Sequence, residues 1–221
     1  MGPGAMSDKK TVIVDYGMGN MFSVRRACEH AGIDAVVASD KNTITKADSV
    51  ILPGVGAFGN AMENLKKLDL VAPLTDMVAS GKPFMGICLG FQLLMSESEE
   101  FGCASGLNII RGSVKKFPVK NSEGAKIPQI GWNSVLKYPG GDWAGSMLDG
   151  VCETDYMYFV HSFYVEPEDS AIKCSRTAYA GIDYCSSIST GNIFGCQFHP
   201  EKSAWTGLKV YANFKKKIGG A

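Results

Sequence analysis

The sequence has no long hydrophobic run, no excess of either charge and few histidines. No apolar stretch approaches the roughly 18 residues that a membrane-spanning helix needs. Basic and acidic residues number 22 each, so the zero net charge predicts neither a nucleic-acid partner nor binding to an anionic membrane. Histidine chemistry is restricted to three candidates, which are His30, His161 and His199.

The seven cysteines are odd in number, widely spread and lack a Cys-x-x-Cys pair. The chain has 221 residues and is 45% hydrophobic, which is enough for a substantial core. The cysteine pattern therefore indicates reduced thiols of a cytoplasmic protein and predicts neither a disulfide framework nor a metal site. Residues 1–6 lack the basic and apolar regions of a signal peptide, and we interpret them as a cloning remnant. We expect residues 7–221 to form a single domain.

Short apolar strands alternate with helical segments in the first half of the chain. Strands are predicted over 11–16, 35–38, 49–52 and 84–87, and helices over 22–31, 58–67 and 69–80. Glycine-rich turns follow several of these strands. This order predicts an α/β fold, with a doubly wound, mostly parallel central sheet and helices on both faces. In such sheets, binding sites form at the carboxyl ends of the strands.

The pattern changes after about residue 101. Short strands are predicted over 107–117, 127–137, 156–165, 171–178, 182–188 and 192–198, followed by a helix over 204–217. We interpret these strands as a partly antiparallel extension of the sheet, with a separate small sheet as a further option.

Cys88 lies at the end of a predicted strand, with Gly86 and Gly90 two residues away on either side. This spacing is the thiol counterpart of the Gly-x-Ser-x-Gly turn, in which a nucleophile is exposed between a strand and a helix. Glycines are needed because a Cβ atom would collide in so sharp a turn. The amide of Leu89 is then expected to point to where an oxyanion develops. A small buried core cysteine is the alternative interpretation.

His199 ends another apolar strand, and Glu201 follows two residues later. A thiol nucleophile needs a base, and the base needs a third group that fixes its orientation. In an extended His-x-Glu segment both side chains lie on the same face, and Pro200 disfavours a helical conformation at His199. A structural histidine beside an incidental carboxylate is the alternative.

These motifs together resemble the class I, triad-type glutamine amidotransferases. The match rests on Gly86 to Gln92 (Gly-Ile-Cys-Leu-Gly-Phe-Gln) and on Phe-His-Pro-Glu at 198–201. The turn Leu-Pro-Gly-Val-Gly-Ala-Phe at 52–58 is similar to one branch, the glutaminase subunits of imidazole glycerol phosphate synthase. The segments 12–20, 127–133, 158–164 and 197–203 fit the same branch, so the resemblance spans about 11–214. It implies the flavodoxin-like fold of this family and no cofactor.

The resemblance also implies residue roles. Cys88 attacks the side-chain amide carbon of glutamine, His199 transfers the proton and Glu201 orients His199. The remaining roles are oxyanion binding by the backbone amides of Val55 and Leu89, and substrate binding by Gly54, Gln92, Ser162 and Phe163. The alternative interpretation of Gln92 is an ordinary polar helix residue. For Ser162 and Phe163 the alternative is side-chain packing within a strand. His161 is expected to be structural and to point to the opposite face.

Family members deliver ammonia to a synthase, so the resemblance implies a heterodimer with a cyclase subunit. The expected partner interface is the rim formed by Gly17, Asn20, Gln129, Trp132, Asn133 and Lys202. Trp132 could equally be a buried core residue. Histidine-pathway members are expected to carry histidine where this chain has Gln129.

Four alternatives follow from these departures and motifs. A paralogue could feed ammonia to a different synthase, such as one that amidinates a surface sugar. A cysteine hydrolase of the same architecture would cut another amide, although the turn at 53–56 and Gln92 argue against it. A non-catalytic subunit would normally have lost a triad member, and a thiol redox role lacks a resolving cysteine near Cys88.

Overall fold

The computed structural model describes residues 9–118 and 125–220, and the predicted cloning remnant at 1–6 lies outside these ranges. The strands are β1 Thr11–Val14, β2 Ala35–Ala38, β3 Ser49–Leu52, β4 Phe84–Ile87, β5 Glu97–Ser98, β6 Ala104–Ser105, β7 Gly112–Lys116, β8 Gln129–Ser134, β9 Leu136–Lys137, β10 Tyr156–His161, β11 Phe163–Pro167, β12 Lys173–Tyr179, β13 Ile182–Thr190 and β14 Ile193–Cys196. The α-helices are α1 Met21–His30, α2 Lys41–Lys46, α3 Phe58–Lys67, α4 Val71–Ala79, α5 Leu89–Gln92 and α6 Ala204–Gly219.

Five parallel strands form the centre of the main sheet, in the order β2-β1-β3-β4-β14. The predicted doubly wound, mostly parallel centre is therefore confirmed. Strand β4 leads to Cys88 and strand β14 leads to His199, and the two are direct neighbours with Cys196 opposite Ile87. The carboxyl ends of the two strands thus bring the predicted nucleophile and the predicted base to one edge of the sheet.

Helices cover both faces of this centre because its strands alternate between two cores. In β1, Val12 and Val14 belong to a core that also contains residues of helices α2 to α5. Ile13 belongs to the core on the opposite face, which contains residues of α1 and α6. Strand β3 alternates in the same way. Its residues are fully buried, as expected of strands packed on both faces.

The second half extends the sheet through antiparallel pairs from β14 to β13, β11 and β7, and β12 and β9 also join it. Strands β8 and β10 form a separate two-stranded antiparallel sheet. The prediction of a single strand over 156–165 is wrong in one respect. The segment is interrupted at Ser162, so that β10 belongs to the small sheet and β11 to the large one.

Helix α2 was not predicted, because its sequence Lys-Asn-Thr-Ile-Thr-Lys is short and mostly polar. Its start is marked by Asp40, whose carboxylate accepts a hydrogen bond from the Thr43 amide at 2.9 Å. This N-cap is the one sequence signal that could have located the helix. Among the described residues, no helix has the length and apolar character to cross a membrane.

Candidate active site

Cys88 occupies a strained turn between β4 and α5. Its φ of 53° and ψ of −110° lie outside the regions that most residues other than glycine adopt. A Cβ atom on Gly90 would lie 1.8 Å from the Leu52 carbonyl oxygen, and one on Gly86 would lie 3.0 Å from the Phe91 Cα. Only glycine at these two positions allows α5 to pack this closely on the sheet. The spacing argument from the sequence is thus met by the geometry.

His199 and Glu201 form a buried pair immediately after β14. The His199 Nδ1 lies 2.7 Å from the Glu201 Oε1, and both side chains are only 3% exposed. A carboxylate only accepts hydrogen bonds, so Nδ1 carries the hydrogen and Nε2 of a neutral ring is left to accept a proton. Within the described residues, Nε2 is buried and has no hydrogen-bond partner. The structure therefore places an orphaned proton acceptor at the edge where the Cys88 thiol lies.

The electrostatics of His199 favour its protonated form. Burial alone disfavours the charged ring, but the Cys88 thiolate and the Glu201 carboxylate outweigh it and raise the pKa of His199. The raised pKa allows His199 to keep a proton that it takes from the thiol. The Cys88 Sγ itself lies 3.9 Å from the Val160 carbonyl oxygen.

A cavity of about 230 Å³ opens at Cys88. Its lining includes Val55, Gly56, Cys88, Leu89, Gln92, Glu100, Pro128, Val160, His161, Ser162 and Phe163. Three of the four predicted substrate residues therefore meet at one cavity. Gly54 does not line it. His161 borders the cavity, but both of its ring nitrogens are hydrogen-bonded, to the Phe163 carbonyl oxygen and the Tyr184 hydroxyl, as a structural role would require. Glu100 was missed because nothing in its sequence surroundings marks it. Its carboxylate also accepts a hydrogen bond from the Phe58 amide.

The predicted oxyanion site is not open in this conformation. The Leu89 amide donates to the Gly54 carbonyl oxygen at 3.3 Å and does not point freely into the cavity. Helix α5 is only four residues long, so its dipole contributes little to anion binding. Val55 and Gly56 lie in the cavity wall, and Gly56 has a φ of 120° that favours glycine.

Gln197 is a further residue of this site that the sequence reasoning did not single out. Its side chain is completely buried, its Nε2 lies 3.5 Å from the Cys88 Sγ and its Oε1 lies 3.0 Å from the Gln92 Nε2. The signal was present in the alternation of the strand, since Gln197 is two residues before His199 and lies on the same face of an extended segment.

Four of the predicted interface residues have exposed side chains or backbone. Gly17 and Asn20 follow β1, and the Asn20 side chain caps α1 by accepting from the Ser23 amide. Trp132 is 53% exposed, which answers the open question of its burial, and it lies in strand β8. Lys202 is exposed, and its Nζ lies 5.8 Å from the centre of the Tyr158 ring.

The other two interface predictions fit less well. Gln129 is 2% exposed, and its side chain hydrogen-bonds the Tyr184 hydroxyl at 3.0 Å, so it cannot face a partner as expected. The reason is the alternation of β8, which turns Gln129 inward and Ile130 outward. Asn133 is half-buried and donates to the Ala178 carbonyl oxygen.

Known proteins resemble the chain over almost its entire length. The family model described as glutamine amidotransferase class-I matches residues 12–217. The imidazole glycerol phosphate synthase subunit HisH of Aquifex aeolicus is 46% identical, over 94% of this chain and 97% of that protein. HisH of Chlorobium chlorochromatii is 48% identical over 91% and 97%.

Solved structures share the fold at lower identity. PurLQS from Thermotoga maritima has a TM-score of 0.72 and 18% identity, covering 95% of this chain and 98% of that one. The glutaminase domain of Trypanosoma brucei CTPS has a TM-score of 0.64 and 14% identity, covering 96% and 94%. Given the family match and the identity to full-length relatives, the chain belongs to the class I glutamine amidotransferases and, within them, to the HisH family.

Proposed function

We propose that the chain is the glutaminase subunit of an imidazole glycerol phosphate synthase, which hydrolyses glutamine and supplies ammonia for histidine biosynthesis. The observation that carries the chemistry is the Cys88 elbow beside the buried His199–Glu201 pair, open to one small cavity. The relatives that share the sequence over nearly their whole length are named as subunits of that synthase. The seven free thiols support a cytoplasmic location.

The first step is the attack of the Cys88 thiolate on the side-chain amide carbon of glutamine. His199 takes the thiol proton at Nε2 and gives it to the departing nitrogen, so that ammonia leaves and a thioester remains. Glu201 keeps the Nδ1 hydrogen in place and stabilises the imidazolium. Water, deprotonated by the same His199, then attacks the thioester, and the thiol and glutamate are released.

The cavity offers groups for the amino-acid end of glutamine. Glu100 supplies a carboxylate that can accept from the α-ammonium group. Ser162 and Phe163 line the wall at the interruption between β10 and β11, where the backbone turns from one sheet to the other. Such an arrangement would hold the substrate with its side-chain amide directed at Cys88.

The tetrahedral intermediate needs backbone donors, and the Leu89 amide is the nearest candidate. Its present bond to the Gly54 carbonyl must therefore break during the reaction. Rotation of the peptide unit between Gly54 and Val55 would withdraw that carbonyl and present the Val55 amide in its place. We infer that the resting site is restrained, and that activation requires this rotation.

We propose a cyclase subunit as the partner in a heterodimer. Exposed apolar side chains on the small sheet and on the first residues of α1 support a docking surface: Phe22 is 67%, Ile130 64% and Trp132 53% exposed. Because Gln129 is buried against Tyr184, its departure from the expected histidine does not alter the outer face of β8. This burial weakens the argument for a paralogous synthase.

The test is glutamate release from glutamine, by the chain alone and with a cognate cyclase and its nucleotide ligand. We expect stimulation by the cyclase, and loss of turnover in Cys88→Ala with the fold retained. His199→Ala should be about as damaging and Glu201→Ala milder, because orientation contributes less than proton transfer. Cys103→Ser, which removes an exposed thiol, is the matched control.

Two results would contradict the proposal. Unchanged glutamate release by the Cys88→Ala variant would exclude Cys88 as the nucleophile. Turnover that a cyclase never stimulates would instead favour a different synthase.

A further inference from the structure

Gln197 has a position that no predicted role explains. Gln197 directly follows β14 and is fully buried. Its amide lies between the Cys88 sulfur and the Gln92 amide and contacts both. Burying a polar amide is costly unless its groups are hydrogen-bonded, so a purely space-filling role would be served better by an apolar side chain. The two groups that the amide contacts are the sulfur of Cys88 and a second glutamine amide.

The orientation of the Gln197 amide follows from its neighbours. The Phe163 carbonyl oxygen can only accept, and it lies 2.9 Å from the Gln92 Nε2 and 2.8 Å from the His161 Nδ1. The NH₂ group of Gln92 must therefore face Phe163, and its second hydrogen is directed to the Gln197 Oε1. Reversing Gln92 would place two oxygens against each other.

With its oxygen held by Gln92, Gln197 necessarily presents its NH₂ group to the Cys88 Sγ at 3.5 Å. An N–H donor to sulfur favours the thiolate over the thiol, because a hydrogen bond to a charged acceptor is stronger than one to a neutral acceptor. The bond also limits where the sulfur can point, and it approaches from within the core rather than from the cavity.

We propose that Gln197 stabilises the Cys88 thiolate and fixes the direction of its sulfur by donating an amide hydrogen bond. This inference rests on the proposed glutaminase chemistry, in which the thiolate attacks glutamine. It adds a neutral donor to the site, so that thiolate formation does not depend on His199 alone. The chain of contacts from Phe163 through Gln92 holds that donor in place.

The experiment compares Gln197→Met, which keeps the length and loses the donor, with Gln197→Glu, which keeps the shape and replaces the NH₂ by oxygen. Alkylation by iodoacetamide is followed from pH 5 to 10 at the Cys88 peptide by mass spectrometry, because the exposed thiols of Cys103 and Cys152 also react. Thr177→Val, which removes a buried hydroxyl outside the cavity, is the control.

We expect the pH midpoint of alkylation to rise by about one unit in Gln197→Met, and by more in Gln197→Glu where the introduced carboxyl group is ionised. The kcat for glutamine should fall about tenfold with KM changed little, since the thiolate matters to attack more than to binding. The control should keep the midpoint of the parent protein.

An unchanged midpoint in folded variants overturns the proposal. The Gln197→Met variant decides the question, because a buried, protonated carboxyl group in Gln197→Glu would itself donate a hydrogen bond to the sulfur. If Gln197→Met does not fold, Gln197→Asn withdraws the amide by one methylene group and serves the same purpose. Alkylation of Cys88 does not depend on glutamine turnover. If the proposed glutaminase function is wrong, the parent protein itself will release no glutamate, and the alkylation midpoints will still test the role of Gln197.

Discussion

Ser203 connects the backbone of His199 to strand β10. Its hydroxyl donates to the His199 carbonyl oxygen at 2.6 Å and accepts from the Tyr158 amide at 2.9 Å. The His199 amide in turn donates to the Tyr158 carbonyl oxygen at 2.8 Å, which closes a ring of three hydrogen bonds. The side chain of Ser203 is fully buried. We predict that Ser203→Ala loosens the backbone that carries the imidazole of His199, the proposed base.

The magnitude follows from the groups that lose partners. The Tyr158 amide is left without an acceptor, which costs about 1–3 kcal/mol for a buried donor. The His199 carbonyl oxygen keeps a second bond from the Lys202 amide at 3.0 Å, so its loss is only the roughly 1 kcal/mol of a typical hydrogen bond. We therefore expect the free energy of unfolding to fall by about 2–4 kcal/mol, and kcat to fall about tenfold as His199 loses its fixed position.

Urea unfolding and steady-state glutamate release measure the two effects. Ser49→Ala is the matched control, since its buried hydroxyl bonds Thr11 at 2.8 Å in the strands β3 and β1. The control should lose stability without loss of kcat at a temperature where both variants are folded. A Ser203→Ala protein of unchanged stability would refute the ring as a stabilising element, and unchanged kcat would refute its positioning role.

Two further predictions concern glycine and pH. Gly90→Ala places a Cβ 1.8 Å from the Leu52 carbonyl oxygen and should lower the free energy of unfolding by at least about 4 kcal/mol. Gly59→Ala in α3 meets nothing within 4 Å and should raise the free energy of unfolding by about 0.5 kcal/mol. Thermal or urea unfolding measures both changes. Burial lowers the pKa of His161 to about 3, so the unfolded chain binds a proton that the folded protein does not as the pH falls below about 6.5. His161 should therefore contribute a loss of about 1 kcal/mol of stability between pH 6.5 and 5.5, which is measured as the difference in pH dependence between the parent protein and His161→Asn. Equal pH dependence in both would contradict a buried neutral ring.

The parallel half of the fold was predictable because its strands are buried on both faces. A run such as Val12-Ile13-Val14 can only be satisfied by cores on two sides, and glycine turns separate these runs from amphipathic helices. The Cys88 elbow was predictable for a steric reason, since the glycine spacing reflects contacts that exclude a Cβ atom. Both inferences use local properties that a sequence records directly.

What could not be predicted depends on pairing between distant segments. Nothing in Tyr-Phe-Val-His-Ser-Phe-Tyr marks Ser162 as the point where the chain leaves one sheet for another, because both halves have similar strand propensity. The inward side of β8 was assigned wrongly for Gln129, since a one-residue change of register exchanges the two faces. The bond from Leu89 to Gly54 depends on the rotation of one peptide unit, which leaves no trace in the sequence.

The pairing of β14 with β4 also fixes when the enzyme can first act during its own synthesis. Cys88 leaves the ribosome about 110 residues before His199, a delay on the order of 10 s at ordinary elongation rates. Until β14 inserts between β4 and β13, the nascent chain carries the proposed nucleophile without its proposed base. Incomplete chains should consequently bring no glutaminase activity into the cell, and ammonia release begins only with the last parallel strand in place.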